Sequence, residues 1–238
     1  MTLSDQPRSR IENRLLAALP TEDYNRLVAQ MERVQLPFAE VLYEPDDVIQ
    51  HVYFPNDSIV SLLSTVEDRS TLEVGIIGNE GMVGISVLLG VETSPYRALV
   101  QGEGSAMKMK AAALHKEMSA DGSLQRLLLR HTHALMTQIA QSAACNRFHV
   151  VEARLARWLL MMRDRIGTDE FRLTHEFLSD MLGVRREGVT NAATVLQRNE
   201  LITYSRGQIK ILNQAGLEAA ACKCYRIIKA EYDSFLDV

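Results

Sequence analysis

From Arg10 to Met31 apolar residues recur at helical intervals. Ile11, Leu15, Leu16 and Leu19 form one short stripe, and Leu27, Val28 and Met31 form a second after Pro20-Thr21 restarts the helix. From Gln35 to about Lys110 the rhythm changes to short runs: Val41-Leu42-Tyr43, Val48 to Phe54, Ile59 to Leu63, Leu72 to Ile77, Ala98-Leu99-Val100 and Ser105 to Met109. Asp46-Asp47, Asn56-Asp57, Asp68-Arg69, Gly78-Asn79 and Gly102 to Gly104 break them up, a pattern that predicts an antiparallel all-β domain. Helical spacing returns over Ala111 to Ser119 and, after Asp121-Gly122, from Ser123 to about Asn146. The second of these helices would extend about 36 Å. Its stripe of Leu124, Leu127, Leu128, Leu135, Ile139 and Ser142-Ala143, widened by Leu129 and Met136, is too broad to leave in water. It predicts burial on the β domain and on a second copy of the same helix.

Cys145-Asn146-Arg147-Phe148 is expected to break the long helix at a hinge. Val150 to Ile166 then forms a helix with Val151, Leu155, Trp158, Leu159 and Met162 inward. Gly167-Thr168-Asp169 ends it, and Phe171-Arg172-Leu173 leads into the stretch Thr174 to Asn199. There Thr174 caps a helix carrying Phe177, Leu178, Met181 and Leu182 on one face, and Gly183 takes the left-handed conformation that closes a tight turn. A second helix starts at Arg185 or Arg186 and turns Val189, Ala192, Ala193, Val195 and Leu196 toward the first, with Ser179 as the small residue at the crossing. This spacing is that of a helix-turn-helix. In ITYSRGQIKIL, strand-formers Ile202, Tyr204, Ile209 and Ile211 flank Ser205-Arg206-Gly207, a hairpin turn, and so predict a wing. Gly216 to Phe235 reads as one final amphipathic helix with Leu217, Ala221, Tyr225, Ile228 and Tyr232 inward.

The polar face of the second helix suits DNA. Arg186 offers two parallel donors to a guanine edge, Glu187 accepts from a cytosine amino group, and Thr190 or Asn191 reaches a neighbouring base. Arg185, Arg198 and Arg206, with Lys210, supply positive charge for phosphates against Glu187 and Glu200 alone. The surplus is local, because the chain of 238 residues carries a formal net charge of −4. A focused patch fits this balance better than a general polyanion binder.

The run Leu173-Thr174, Leu178-Ser179, Leu182-Gly183-Val184 and Arg186-Glu187, Val189, followed by a short wing, resembles the DNA-binding domain of the Crp/Fnr regulators. LYEPDDVIQHVYFPNDSIVSL resembles the opening strands of the cyclic-nucleotide-binding jelly roll of the same family, so the likeness covers nearly the whole chain. It implies an α+β fold with an N-terminal antiparallel β jelly roll, a long dimerisation helix and a C-terminal winged helix-turn-helix. The expected domains are 1–122 for the sensor, 123–148 for the dimerisation helix and hinge, and 149–238 for DNA binding. By resemblance, Arg186 and Glu187 read base edges, Asn191 replaces a further basic reader, and the long helix is the dimer seam through Leu124, Leu128, Leu135, Ile139 and Ser142. A two-fold dimer would present two recognition helices roughly 34 Å apart and read an inverted repeat.

The family's nucleotide site falls on Gly78 to Arg97. Glu80, Gly81, Met82, Gly84 and Arg97 are the candidate ligand residues: glycine N–H groups and Arg97 suit a phosphate. Met82 stands where the family has its carboxylate and Ala98 where a hydroxyl would help, so the sensor is expected not to respond to cyclic AMP. On that view Glu80 is a solvated turn residue and Arg97 makes a surface or interdomain ion pair. A cyclic-nucleotide-responsive regulator is the alternative, and a signalling or interaction module that does not bind DNA is a third reading. No cofactor is expected. An iron–sulfur sensor needs an N-terminal cysteine cluster, whereas the first cysteine is Cys145. His51, His115, His131, His133 and His149 are scattered, and Cys222-Lys223-Cys224 is wrongly spaced for a shared metal if both lie on one helix. Three free thiols and no metal site are therefore expected. No pattern of catalytic nucleophile and base, or of metal ligands on neighbouring strands, points to an enzyme. With no secretion signal and no membrane-spanning run, the protein is expected in the cytoplasm, with double-stranded DNA, itself, RNA polymerase and an unidentified small-molecule effector as partners.

Overall fold

The computed structural model describes residues 12–65, 71–118 and 122–236. The expectations that fall on Arg10, Ile11, Asp68-Arg69, Ser119 and Asp121 lie outside them. The chain forms two compact units. One takes in the described residues up to Leu62, Gly75–Met136 and the chain from Tyr232; the other takes in Leu63–Val74 and Thr137–Glu231.

In the first unit two short helices, α1 (Arg14–Ala17) and α2 (Thr21–Val28), precede the strands. Asn13 caps α1 by accepting from Leu16 N and, fully buried, donates to the carbonyls of Pro55 and Gly81 at 2.7 and 3.1 Å. One amide side chain thus satisfies three backbone groups that the fold takes out of water. The strands are β1 (Glu32–Leu36), β2 (Val41–Tyr43), β3 (His51–Pro55), β4 (Ile59–Thr65), β5 (Thr71–Ile77), β6 (Arg97–Gly102) and β7 (Gly104–Lys110), of which the end of β4 from Leu63 and the start of β5 to Val74 count with the second unit. They make one sheet in the order β1-β7-β3 and another in the order β2-β6-β4-β5, with antiparallel register where β7 meets β1 and β3 and where β2 meets β6. Val48 does not join β3 as expected; it is exposed and makes only an isolated bridge to Thr93. A 3-10 turn, Ile85–Leu89, interrupts the strands between left-handed Gly84 and Gly90.

After β7 come α3 (Ala111–Met118) and α4 (Ser123–Phe148). The break expected at Cys145 to Phe148 falls instead at His149-Val150, where Val150 is extended and starts the next helix. Helical bonding persists to the last turn, since His149 N–H still donates to Cys145 O at 3.1 Å.

The second unit contains α5 (Val151–Ile166), β8 (Glu170–Arg172), α6 (His175–Leu182), α7 (Arg186–Arg198), β9 (Ile202–Ser205), β10 (Gln208–Ile211), α8 (Gln214–Ala220) and, as far as Glu231, α9 (Cys224–Leu236). Leu155, Trp158, Leu159, Leu178, Val189, Ala192, Leu196 and Leu217 form its buried core. Trp158 satisfies its indole N–H on Glu73 Oε1 at 2.8 Å, as a buried indole requires. The structure departs from the sequence pattern at two places. Val195 points outward rather than toward α6. The final helix is two helices: Ala221 is extended (φ −70°, ψ 152°), and the chain re-enters a helix only at Cys224. Leu217, Tyr225, Ile228 and Tyr232 are buried on the two pieces, so the helical spacing of apolar residues runs straight across the break.

Candidate nucleic-acid interface

Local chemistry fixes the two helices of the motif. Thr174 Oγ1 accepts from Phe177 N–H at 3.1 Å, capping α6. At the other end Gly183 (φ 58°, ψ 44°) donates to Asp180 O, and Val184 donates to Ser179 O at 3.0 Å. These paired bonds close the end of α6 and turn the chain into α7 within three residues of it. Arg185 caps α7 with its backbone extended, so Arg186 and Glu187 stand in the first turn, both exposed. Thr190, Asn191 and Arg198 are exposed along the same helix.

The wing pairs β9 with β10 around Arg206 (φ 50°) and Gly207 (φ 78°), two successive left-handed residues that match the twist of a two-residue hairpin. β8 adds a third strand: the segment expected only to lead into the motif pairs with β10 from Glu170 to Arg172. Arg206 is exposed at the tip. Lys210, counted above with the positive surplus, is paired with Glu170 at 2.8 Å.

His175, which the sequence did not single out, joins these parts. Its Nδ1 lies 3.1 Å from Thr190 Oγ1, and its ring meets Tyr204 edge-on with centroids 4.5 Å apart. Tyr204 in turn donates its hydroxyl to Leu173 O at 2.9 Å and its N–H to Gln197 Oε1 at 2.6 Å. Thr190 Oγ1 donates to Arg186 O, so the Nδ1–H of His175 is the donor to that hydroxyl. Nε2 is buried and has no hydrogen-bond partner among the described residues. Burial and the nearby positive charge of Arg186 hold the imidazole below its ordinary pKa and keep it neutral. The start of α6, the exposed face of α7 and the wing are thereby held in one register.

The candidate ligand residues have structural partners. Glu80, expected to be solvated, is 3% exposed and accepts from Gly78 N–H at 3.3 Å. Met82 is fully buried and its N–H donates to His131 Nε2 at 3.2 Å. A Cβ on Gly81 would sit 2.3 Å from His131 Cε1, so this glycine is required by helix packing. Gly84 caps the 3-10 turn, and Arg97 pairs with Glu44 at 3.3 Å.

Along α4, Leu124, Leu128, Leu135 and Ser142 are buried within the single chain and Ile139 is half-buried. The large apolar residues that α4 leaves open are Leu129 and Met136, 48% and 63% exposed, with Phe148 at its end. Sequence spacing puts the leucines and Met136 on one broad stripe; the chain's own core takes most of it.

The thiols are not scattered. Cys145, Cys222 and Cys224 are buried together, and their sulfurs and a ring nitrogen of His149 all lie within 4.8 Å of one another. Because the helix breaks at Ala221, the spacing argument against Cys222 and Cys224 no longer applies. The hydrogen bond shared with Cys145 draws Cys222 down to about 5 and pushes Cys145 up, while positive Arg157 favours the thiolate of either.

Residues 153–220 match the Crp-like helix-turn-helix domain. Comparison with curated protein sequences gives no match. Among solved structures the chain is similar to FixK2 from Bradyrhizobium japonicum, with 18% identity, 81% of this chain and 98% of that one covered, and a TM-score of 0.70. It is also similar to a CRP-family transcriptional regulator from Thermus thermophilus, at 20% identity, 80% and 96% coverage, and 0.67. A third likeness is to the c-di-GMP-responsive global regulator CLP from Xanthomonas campestris, at 16% identity, 82% and 100% coverage, and 0.65. At such identities these structures speak for the fold, and the domain match speaks for the C-terminal function. Residues 153–220 therefore carry a Crp-like helix-turn-helix, a DNA-binding motif, in a chain that shares the fold of these solved regulators over four-fifths of its length.

Proposed function

We propose that the protein is a cytoplasmic homodimer that binds an inverted-repeat operator, with residues 1–122 as sensor, 123–148 as dimerisation helix and hinge, and 149–238 as the DNA-binding part. The observation that carries the reading is the first turn of α7, where Arg186 and Glu187 are exposed, with Thr190 and Asn191 exposed one turn on and Arg206 exposed on the wing. Arg186 and Glu187 read base edges; Arg185, Arg198 and Arg206 contact phosphates, and the Thr174 end of α6 lies along the backbone. Thr190 contributes chiefly by holding His175, since its hydroxyl is already engaged.

The dimer seam runs along α4 through Leu129, His133, Met136, Ala140, Ala143 and Arg147. These exposed positions are spaced four, three, four, three and four residues apart, which is the heptad of a two-stranded coiled coil. The sensor does not respond to cyclic AMP: Met82 fills the position of the carboxylate, Gly81 is occupied by His131, and Arg97 is held by Glu44. A different small-molecule effector and RNA polymerase complete the set of partners.

The test is selection of DNA from a random pool by purified protein at physiological salt, with and without cyclic AMP. An inverted repeat enriched equally in both samples is the expected result; enrichment only with the nucleotide would refute the reading of Met82 and Arg97. On the selected operator Arg186→Ala should weaken binding by roughly 1–3 kcal/mol, about 10- to 100-fold, and relax preference at one base pair per half-site. Unchanged affinity and preference would remove Arg186 from the interface.

A further inference from the structure

We propose that Cys145, His149, Cys222 and Cys224 form a closed, mononuclear Zn²⁺ site that ties the link between α8 and α9 to the last turn of α4. Each residue brings one ligand atom, and all four atoms lie within 4.8 Å of one another. Cys145 Sγ is 3.3 Å from Cys222 Sγ, and Cys224 Sγ is 3.6 Å from His149 Nδ1. A tetrahedral zinc with Zn–S bonds of about 2.3 Å has ligand-to-ligand edges of about 3.8 Å. The cluster is therefore already the size of the polyhedron. The 3.3 Å sulfur separation is far from the ~2.05 Å of a disulfide.

The backbone explains how two distant pairs converge. Cys145 and His149 are four apart and joined by a helical hydrogen bond, so they share one face of the helix end. Cys222 and Cys224 straddle a turn residue, with Ala221 extended before them and Cys224 opening α9. Nothing in the apolar pattern requires that break, and bringing both sulfurs to one point does.

Charge is a separate observation. Arg154 and Arg157 are buried around the cluster, and among the described residues the Nε of each has no hydrogen-bond partner. Three thiolates and an imidazole on Zn²⁺ carry one net negative charge, which the two buried guanidinium groups offset. Binding releases the three thiol protons to solvent and changes no oxidation state. A soft sulfur and imidazole set in a tetrahedron selects zinc among the common divalent cations. Ligand atoms gathered around one point leave no room for a two-iron cluster, whose ligand pairs sit at opposite ends. With four protein ligands there is no open coordination position, so the metal is structural rather than catalytic. Arg154 also donates to Leu182 O at the end of α6, so the site stabilises the turn that aims α7.

Untagged full-length protein, purified under reducing conditions and reconstituted with Zn²⁺, should retain about one zinc per chain after dialysis. Because the chain has 3 cysteines, a thiol titration reads the site directly: all should be protected until a chelator is added. Co²⁺ in place of zinc should give the visible bands of tetrahedral thiolate coordination. Cys224→Ser should lose the metal, and His149→Gln, at an exposed position that leaves the core intact, should lose the cobalt spectrum and weaken retention at least tenfold. Reduced, folded protein that keeps no zinc or cobalt would overturn the site. So would a Cys145–Cys222 disulfide in freshly isolated protein, iron with inorganic sulfide, or full retention in both variants.

Discussion

His175 shows how one residue can set the working range of a recognition surface. Its neutral ring gives Nδ1–H to Thr190 and buries an unpartnered Nε2, so protonation would create a donor with nothing to accept it, close to Arg186. The folded-state pKa is therefore lowered from 6.5. The sign follows from proton counting: below about 6.5 the unfolded chain takes up a proton that the folded chain resists, so stability present above that value is lost as pH falls through the folded pKa. Melting followed through Trp158, the chain's single tryptophan and part of the same unit, should show a midpoint that drops from pH 7.5 to pH 5.5. His175→Gln should flatten that part of the slope, and an identical slope in the variant would assign it to another group. The sequence offered no sign of this role. A histidine one residue after a helix cap is unremarkable until the fold brings Thr190 and Tyr204 against it.

At the scale of elements, most of the interface was legible because its signals are local. Thr174, Gly183 and Arg206-Gly207 each fix the backbone within a few residues, and α6, α7, β9 and β10 formed where the pattern put them. Gly183 gives a direct check. Its left-handed backbone costs an L-residue about 1–2 kcal/mol, and an added Cβ would come within 2.6 Å of Leu72 Cδ1, a flexible side-chain end that can yield. Gly183→Ala should thus lower the Trp158-monitored midpoint by about 2–8 °C. No shift would mean that the turn does not need a left-handed residue. What was illegible depends on distant partners. β1 has a mostly exposed face and takes its order from β7; β8 has three residues and exists because β10 pairs with it. The break between α8 and α9 hid beneath an uninterrupted apolar spacing, and the thiol cluster hid with it, since Cys145 and Cys222 meet only in the folded unit.

For the molecule as a whole, the proposed dimer turns on which face of α4 a second copy would cover, and the buried and open residues give opposite predictions for two neighbouring positions. Leu135 is 2% exposed, so a charge there would disrupt the chain's own core and say nothing about association. Met136, one residue on, is 63% exposed. A glutamate at that position is harmless in a lone chain, but in a two-fold seam it would face its own symmetry mate and bury two like charges together. Met136→Glu should therefore sediment as a folded monomer with unchanged far-ultraviolet circular dichroism, while Met136→Leu remains a dimer. Operator affinity should fall with the dimer, by about 10²-fold or more, because a monomer keeps one half-site and loses the intramolecular second contact. The non-specific component, set by phosphate contacts of each single domain, should change much less. A Met136→Glu protein that stays dimeric and binds the operator as wild type would move the seam off this stripe.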